Sequence, residues 1–182
     1  ELSTRKSIEI NPDYANAHFH LGGILKDLGK IQEAELSYRK AIQLNPNYAN
    51  AYSNLGNILK DLGKSQEAEL SYRKAIQLNP NFANAYSNLA GIVRDLCKLQ
   101  EAELFARKAI EINPDFADAY SNLGSILQDL GKLQEAELSY RKAIKINPDF
   151  ADAYYNLGTI LSANDNFFDA INQYTKALKL NN

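Results

Sequence analysis

The sequence predicts an all-α protein, a solenoid of stacked antiparallel helix-turn-helix hairpins. The prediction rests on internal repeats of 34 residues. Residues 15–48 and 49–82 are identical at 28 of 34 positions, and residues 49–82 and 117–150 at 27. Within each unit the apolar residues follow the spacing of a helix face. The prolines also recur every 34 residues, at Pro12, Pro46, Pro80, Pro114 and Pro148.

The proline spacing divides the chain into one continuous array, which we interpret as a single domain over residues 1–182. Residues 1–14 correspond to the tail of an earlier unit, and residues 151–182 form a divergent last unit. Because the sequence contains no methionine, we expect it to be a piece of a longer protein. Between the two partial units lie four full ones: residues 15–48, 49–82, 83–116 and 117–150.

The unit of residues 49–82 shows how each hairpin is built. Apolar residues in its first half recur at i, i+3, i+4 and i+7, which predicts an amphipathic first helix. Gly63 then suits the left-handed conformation that follows a helix. A second helix is predicted over residues 66–78, before Pro80, because the residue before a proline avoids the helical conformation. We expect Asn81 to cap the helix that follows.

Charged residues on the second helices agree with this pattern. Glu69 and Arg73 stand four residues apart in the order that favours an ion pair, and the same pair recurs in three other units. A row of aspartates at the end of the first helices, such as Asp61 and Asp129, precedes a row of lysines by three residues. Local ion pairing at the helix end explains these two rows at least as well as contact with a ligand does.

The pattern resembles the tetratricopeptide repeat family over essentially the whole chain. The resemblance implies a right-handed superhelix in which the first helices line a concave groove. A groove of equivalent positions suits an extended protein or peptide ligand. The family's motif places are filled in one unit by Tyr52, Leu55, Gly56, Gly63, Ala68, Tyr72, Ala75 and Pro80.

The resemblance also places one row of side chains, the sixth position of each unit, in the groove. An amide carries both donors and an acceptor, so asparagine there could bind a peptide backbone without reading its side chains. A similar row holds the substrate backbone in the arm of O-linked N-acetylglucosamine transferases. Duplication of near-identical units is the alternative explanation for the row. This asparagine ladder consists of His20, Asn54, Asn88, Asn122 and Asn156.

Other groove positions vary more between units. Lysine or arginine occupies one of these positions in the N-terminal half of the groove, whereas Asp118 and Asp152 lie in the C-terminal half, so the N-terminal half is the more basic one. Neutral drift and the steering of a charged peptide both explain this difference. The clamp that holds heat-shock chaperone tails needs lysines at the second and fifth positions, which this sequence lacks, so that partner is not expected. The further groove residues that we assign are Asn50, Asn84, Asn57, Lys26, Lys60 and Arg94.

Composition argues against several function classes. Twenty Lys and Arg against 22 Asp and Glu give a net charge of -2, without the basic excess that nucleic acid requires. No apolar run approaches the roughly 20 residues that span a bilayer, so no membrane partner is expected. The single cysteine, Cys97, fits a reducing, cytoplasmic location. We expect it to be a small, semi-buried substitute for the mid-repeat glycine.

The sequence shows no set of residues for catalysis. His18 and His20 point roughly 200° apart on a helix, so they cannot bind one metal. We therefore expect no metal, no cofactor and no enzyme activity in this chain. The leading hypothesis is a peptide-binding scaffold. The alternatives are the substrate-recruiting arm of a larger, glycosyltransferase-like enzyme, and a scaffold that self-associates end to end through the apolar face of its last unit.

Overall fold

A computed structural model describes residues 2–181, and every regular element within them is an α-helix. Glu1 and Asn182, the ends of the predicted domain, lie outside the described residues. No helix in the described part is both long and apolar enough to cross a membrane. The helices are α1 (Leu2–Ile10), α2 (Ala15–Asp27), α3 (Ile31–Leu44), α4 (Ala49–Asp61), α5 (Ser65–Leu78), α6 (Ala83–Asp95), α7 (Leu99–Ile112), α8 (Ala117–Asp129), α9 (Leu133–Ile146), α10 (Ala151–Ala163) and α11 (Phe167–Leu180).

The helices belong to two compact units that divide between Ile92 and Val93, inside α6. In the first unit α2–α3 and α4–α5 form the predicted hairpins, α1 packs on α2, and α3 packs on α4. In the second unit the hairpins are α8–α9 and α10–α11, and α7 and α9 pack on the first helix that follows each of them. The single domain over residues 1–182 stays a prediction.

The turn inside each hairpin contains a residue in the left-handed conformation. Gly63 has φ +72°, as predicted, and its N–H donates to the carbonyl of Lys60 at 2.9 Å. This hydrogen bond belongs to a Schellman motif, which glycine adopts without steric strain. Cys97 takes the same place with φ +60°. Its side chain is exposed, so the expected semi-buried position is wrong. The reason is that a side chain added at the equivalent Gly63 meets no atom within 4 Å.

The turn between units differs from the prediction. Helix α6 begins at Ala83, and Asn81 lies in the turn before it, so Asn81 does not cap the helix. The side chain that orders this turn is Asn79, whose Oδ1 accepts the backbone N–H of Asn81 at 3.2 Å. Asn79 has φ -135° because the proline after it excludes the helical conformation. Its side chain can then reach over the proline to that N–H.

In the hairpins outside residues 83–116, the core forms where a tyrosine of the second helix lies on a glycine of the first. Tyr72 is fully buried, and a Cβ added to Gly56 would lie 2.6 Å from its ring. In the unit of residues 83–116 the two positions are held by Ala90 and Ala106, which are also fully buried. The same glycine–tyrosine contact recurs between Gly22 and Tyr38, Gly124 and Tyr140, and Gly158 and Tyr174.

Replacement of Gly56 by alanine tests this contact. Because the new methyl group would overlap the Tyr72 ring, we expect Gly56→Ala to lower the free energy of unfolding by about 1–3 kcal/mol. Gly91→Ala is the matched control, since an added Cβ there meets nothing within 4 Å. It should raise the free energy of unfolding by about 0.5–1 kcal/mol, as alanine is the better helix former. Urea unfolding measures both, and equal stabilities would contradict the contact.

Ion pairs connect the second helices of consecutive hairpins. The Glu35 carboxylate accepts from Arg39 Nε at 2.9 Å and from Lys64 Nζ at 2.8 Å. Arg39 also donates to Glu67 at 2.8 Å. The pairs that the sequence predicted four residues apart are confirmed, with N–O distances of 2.6–2.8 Å. An equivalent network in the second unit comprises Glu103, Arg107, Lys132 and Glu135.

The predicted pairing of the aspartate row with the lysine row is wrong for Lys64 and Lys132. Lys64 and Lys132 donate instead to Glu35 and Glu103, in the second helix of the preceding hairpin. Each lysine stands at the start of the second helix of its hairpin, which lies beside the second helix of the preceding hairpin. There it donates to a glutamate whose side chain is only 12–15% exposed.

This network predicts a pH dependence. The hydrogen bond from Lys64 is the main reason that the pKa of Glu35 lies below its ordinary value of 4.5. A carboxylate with a lowered pKa stabilises the fold above its unfolded pKa, and this contribution is lost as the pH falls through the folded value. We therefore expect Glu35→Gln to destabilise the chain by about 1 kcal/mol at pH 7, and by less as the pH drops below 4.5.

Urea unfolding of Glu35→Gln and of the parent chain at pH 7 and pH 3 measures this difference. Glu9→Gln is the control, because Glu9 is exposed on α1 and should change stability little at either pH. A Glu35→Gln effect of the same size at both pH values would contradict the role of the carboxylate charge.

Candidate functional site

Of the three ladder residues in the first compact unit, the two asparagines are hydrogen-bonded to neighbouring hairpins. Asn54 on α4 is half-buried, and its Nδ2 donates to the Tyr38 hydroxyl at 3.3 Å. Asn88 on α6 is half-buried as well, and its Nδ2 donates to Asn57 Oδ1 at 3.0 Å. The same oxygen accepts the Tyr72 hydroxyl at 2.8 Å. Each ladder amide in this unit is thus linked to a core tyrosine, directly or through Asn57.

Tyr38 and Tyr72, to which these amides are linked by hydrogen bonds, stay protonated at neutral pH. Burial is the main cause that raises the pKa of Tyr72, and the negative charge of Asp61 acts in the same direction. Burial also raises the pKa of Tyr38, which is 1% exposed. A neutral hydroxyl can both donate and accept, so it can order an amide on the surface of the first helices.

In the second compact unit, residues 93–182, the hydrogen bonds around the ladder asparagines differ from those in the first. Asn122 and Asn156 are half-buried, like their counterparts. The hydroxyl of Tyr140 interacts with Ser125 Oγ at 3.1 Å and Gln128 Oε1 at 3.3 Å, both in its own hairpin. Among the described residues, the Asn156 side chain has no hydrogen-bond partner, so its donors and acceptor are open to a ligand.

The remaining predicted groove residues are mostly solvent-exposed. His20 lies edge-on to Phe19, with ring centroids 5.5 Å apart. Arg94 is half-buried, and its Nε donates to Asp129 Oδ2 at 2.8 Å, so this cation already has a carboxylate partner. The exposed predicted residues are His20, Asn50, Asn84, Lys26 and Lys60.

The comparisons with known proteins identify the family. Models described as tetratricopeptide repeat match residues 49–82, 83–116, 105–137 and 151–182. A further model, described as TPR repeat, matches residues 22–63 and 124–165, so the matches together extend from residue 22 to 182. The chain belongs to the tetratricopeptide repeat family. No curated protein sequence matches it.

Solved structures of tetratricopeptide repeat proteins share the fold. MamA is 28% identical, with a TM-score of 0.75, covering 88% of this chain and 94% of its own. YrrB, a TPR protein with an unusual peptide-binding site, is 25% identical, with a TM-score of 0.73 and coverage of 97% and 91%. Cut9 in the APC/C hetero-tetramer Cut9–Hcn1 is 18% identical, with a TM-score of 0.89, covering 98% of this chain and 36% of its own. These likenesses confirm the all-α fold of the helical-hairpin solenoids.

Sequence reasoning missed the tyrosine hydroxyls, because it assigned Tyr72 to packing alone. A signal for them exists in the repeat itself. The ninth position of the tetratricopeptide unit carries a hydrogen-bonding side chain in three units, and Asn57, Ser125 and Thr159 each bond to the tyrosine of their own hairpin. The ninth position is a glycine in the other two units, at Gly91 where the tyrosine is missing and at Gly23 where Tyr38 is present, so the signal covers only part of the repeat.

Among the residues that the structure describes, the potential metal ligands do not assemble into a site. Within residues 2–181, no three His, Cys, Asp or Glu side chains lie where they could hold a metal ion together. His18 Nε2 lies 2.9 Å from the carbonyl oxygen of Pro12, so this imidazole is engaged with the preceding turn. It orders the start of α2.

Proposed function

We propose that this tetratricopeptide repeat protein is an interaction scaffold that binds an extended polypeptide through its asparagine ladder. The observation that supports the proposal most is the state of Asn54 and Asn88. Both amides are half-buried and hydrogen-bonded from behind, and each retains an oxygen and one N–H for a ligand. Side chains that are ordered before binding lose less entropy when a ligand arrives.

The chemistry of an amide suits the backbone of an extended chain. A peptide presents a donor and an acceptor at every residue, and an asparagine matches both without contacting the ligand's side chains. The peptide-binding site named for YrrB supports a peptide ligand for a related fold. The scaffold would therefore bind peptides of diverse sequence, with specificity added by exposed residues such as Lys26 and Lys60.

The proposal is tested separately in each unit with alanine variants. Peptides are first selected from a library of random linear 12-residue sequences on the parent chain. We expect Asn54→Ala with Asn88→Ala to weaken a selected peptide about 30-fold, since two hydrogen bonds contribute about 2 kcal/mol. Asn122→Ala with Asn156→Ala is the corresponding pair in the second unit. Isothermal titration calorimetry measures the dissociation constants, and circular dichroism checks the fold.

The matched control combines Asn47→Ala and Asn81→Ala, which remove two exposed amides in the turns between helices. This control should bind the peptide as the parent chain does. A library that yields no binder would contradict a peptide ligand. Selected peptides that bind both ladder variants with unchanged affinity would contradict the asparagine ladder as the site.

A second candidate function, end-to-end self-association, is favoured by an exposed apolar face on the last hairpin. Leu178 on α11 is 65% exposed, whereas the equivalent Ile76 and Ile144 are half-buried. Tyr155 on α10 is 60% exposed beside it. The cleft on this face has a volume of about 440 Å³, and its walls comprise Asp152, Tyr155, Tyr174, Ala177, Leu178 and Asn181.

Sedimentation velocity at increasing concentration tests this candidate. We expect the parent chain to associate, and Leu178→Glu to remain monomeric because a charge in an apolar interface is not solvated there. Leu138→Glu is the control, since Leu138 is 67% exposed on α9, away from this face. A parent chain that stays monomeric, or a Leu178→Glu variant that still associates, would contradict the candidate.

A further inference from the structure

The hydrogen bonds among Tyr72, Asn57 and Asn88 have a defined direction. Asn57 Oδ1 accepts from the Tyr72 hydroxyl at 2.8 Å and from Asn88 Nδ2 at 3.0 Å. If the Asn57 amide were reversed, the Tyr72 hydroxyl could only accept from the NH₂ group, as Tyr38 accepts from Asn54, and its proton would lose the Asn57 acceptor. A buried donor without a partner costs about 1–3 kcal/mol. The tyrosine proton therefore determines which end of Asn57 faces inward.

The orientation of Asn57 then determines that of Asn88. Because Asn57 presents its oxygen to α6, Asn88 must turn its NH₂ group towards α4. The groups left for a ligand differ between the two residues. Asn57 offers only the N–H donors of its Nδ2, whereas Asn88 offers its Oδ1 acceptor and its second N–H. Both side chains are half-buried, so part of each is exposed to solvent.

We propose that Tyr72 is a positioning residue that, through its hydroxyl, orients the Asn57–Asn88 pair to bind one residue of an extended backbone. An extended residue points its N–H and C=O to the same side, as in the hydrogen-bonded pairs of antiparallel strands. Its C=O accepts from Asn57 and its N–H donates to Asn88. This inference rests on the proposed function and assigns the ligand chemistry of one part of that site.

The neighbouring hairpin lacks this arrangement and offers a place to build it. There the ninth position is Gly23, and Tyr38 bonds directly to Asn54 at 3.3 Å. A Cβ added to Gly23 meets only the Tyr38 hydroxyl, at an ordinary contact distance of 3.6 Å. Gly23→Asn therefore fits and supplies the residue that corresponds to Asn57.

The first experiment needs no ligand. In ¹⁵N-labelled protein, Tyr72→Phe removes the hydroxyl and keeps the ring on Gly56. We expect the side-chain NH₂ resonances of Asn57 and Asn88 to shift, and their exchange with water to become several-fold faster. Tyr140→Phe is the matched control, because its hydroxyl interacts with Ser125 and Gln128. Unchanged Asn57 and Asn88 resonances in Tyr72→Phe would overturn the positioning role.

The second experiment adds ligand probes. The peptide probe is an eight-residue peptide of alanine and serine with acetylated and amidated ends, and sodium acetate is the carboxylate probe. The peptide should perturb the Asn57 and Asn88 amides and bind Tyr72→Phe about fivefold more weakly, the effect of losing about 1 kcal/mol. Acetate should bind far more weakly than the peptide, because it has no donor for Asn88 Oδ1.

The outcomes separate this inference from the function on which it rests. A peptide that binds the parent chain and Tyr72→Phe equally overturns the positioning role and leaves the scaffold function intact. If the peptide does not bind the parent chain, the proposal of a peptide ligand is overturned. If the Asn57 and Asn88 resonances still shift in Tyr72→Phe, the hydrogen bonds among the three residues are supported on their own. Gly23→Asn should slow the exchange of the Asn54 amide, and no change there would also contradict the positioning chemistry.

Discussion

The contact between a glycine of the first helix and a tyrosine of the second is the constraint on which the hairpins outside residues 83–116 depend. At Gly56 the Tyr72 ring lies so close to the backbone that even a methyl group would overlap it. The ring is fully buried, and its hydroxyl must therefore find a partner inside the protein. It finds one at Asn57, on the surface where the asparagine ladder lies. One side chain thus joins the core of a hairpin to the site that we propose binds a ligand.

The unit of residues 83–116 lacks the glycine–tyrosine contact. It has Ala90 in place of the glycine, Ala106 in place of the tyrosine, and Gly91 in place of the hydrogen-bonding ninth residue. Without a ring there is no reason to exclude a methyl group, and without a hydroxyl there is no buried donor to satisfy. The first two substitutions fit one another, because an alanine on the first helix is tolerated where no ring lies against it. A glycine at the ninth position is a separate change, since Gly23 occurs in a hairpin that keeps its tyrosine, Tyr38.

A separate set of interactions joins consecutive hairpins on their second helices. Glu35 and Glu103 each connect an arginine of their own helix to a lysine of the next hairpin. These pairs lie on the second helices, whereas the ladder asparagines lie on the first. At the ladder positions themselves the side chains Asn54, Asn88, Asn122 and Asn156 are uncharged amides, which can contact a neutral backbone without the cost of removing charges from water.

The repeat by itself determined the helices, their pairing, the glycine turns and the ion pairs within a helix, because all of these depend on residues close together in sequence. It also located the ladder positions, through the family resemblance. The tertiary structure decided which partner each side chain takes across hairpins: Lys64 with Glu35, Arg94 with Asp129, and Asn88 with Asn57. Those residues are about 30 positions apart, and a period of 34 residues cannot say which of several equivalent neighbours lies within hydrogen-bonding distance. Distances between packed helices decide that.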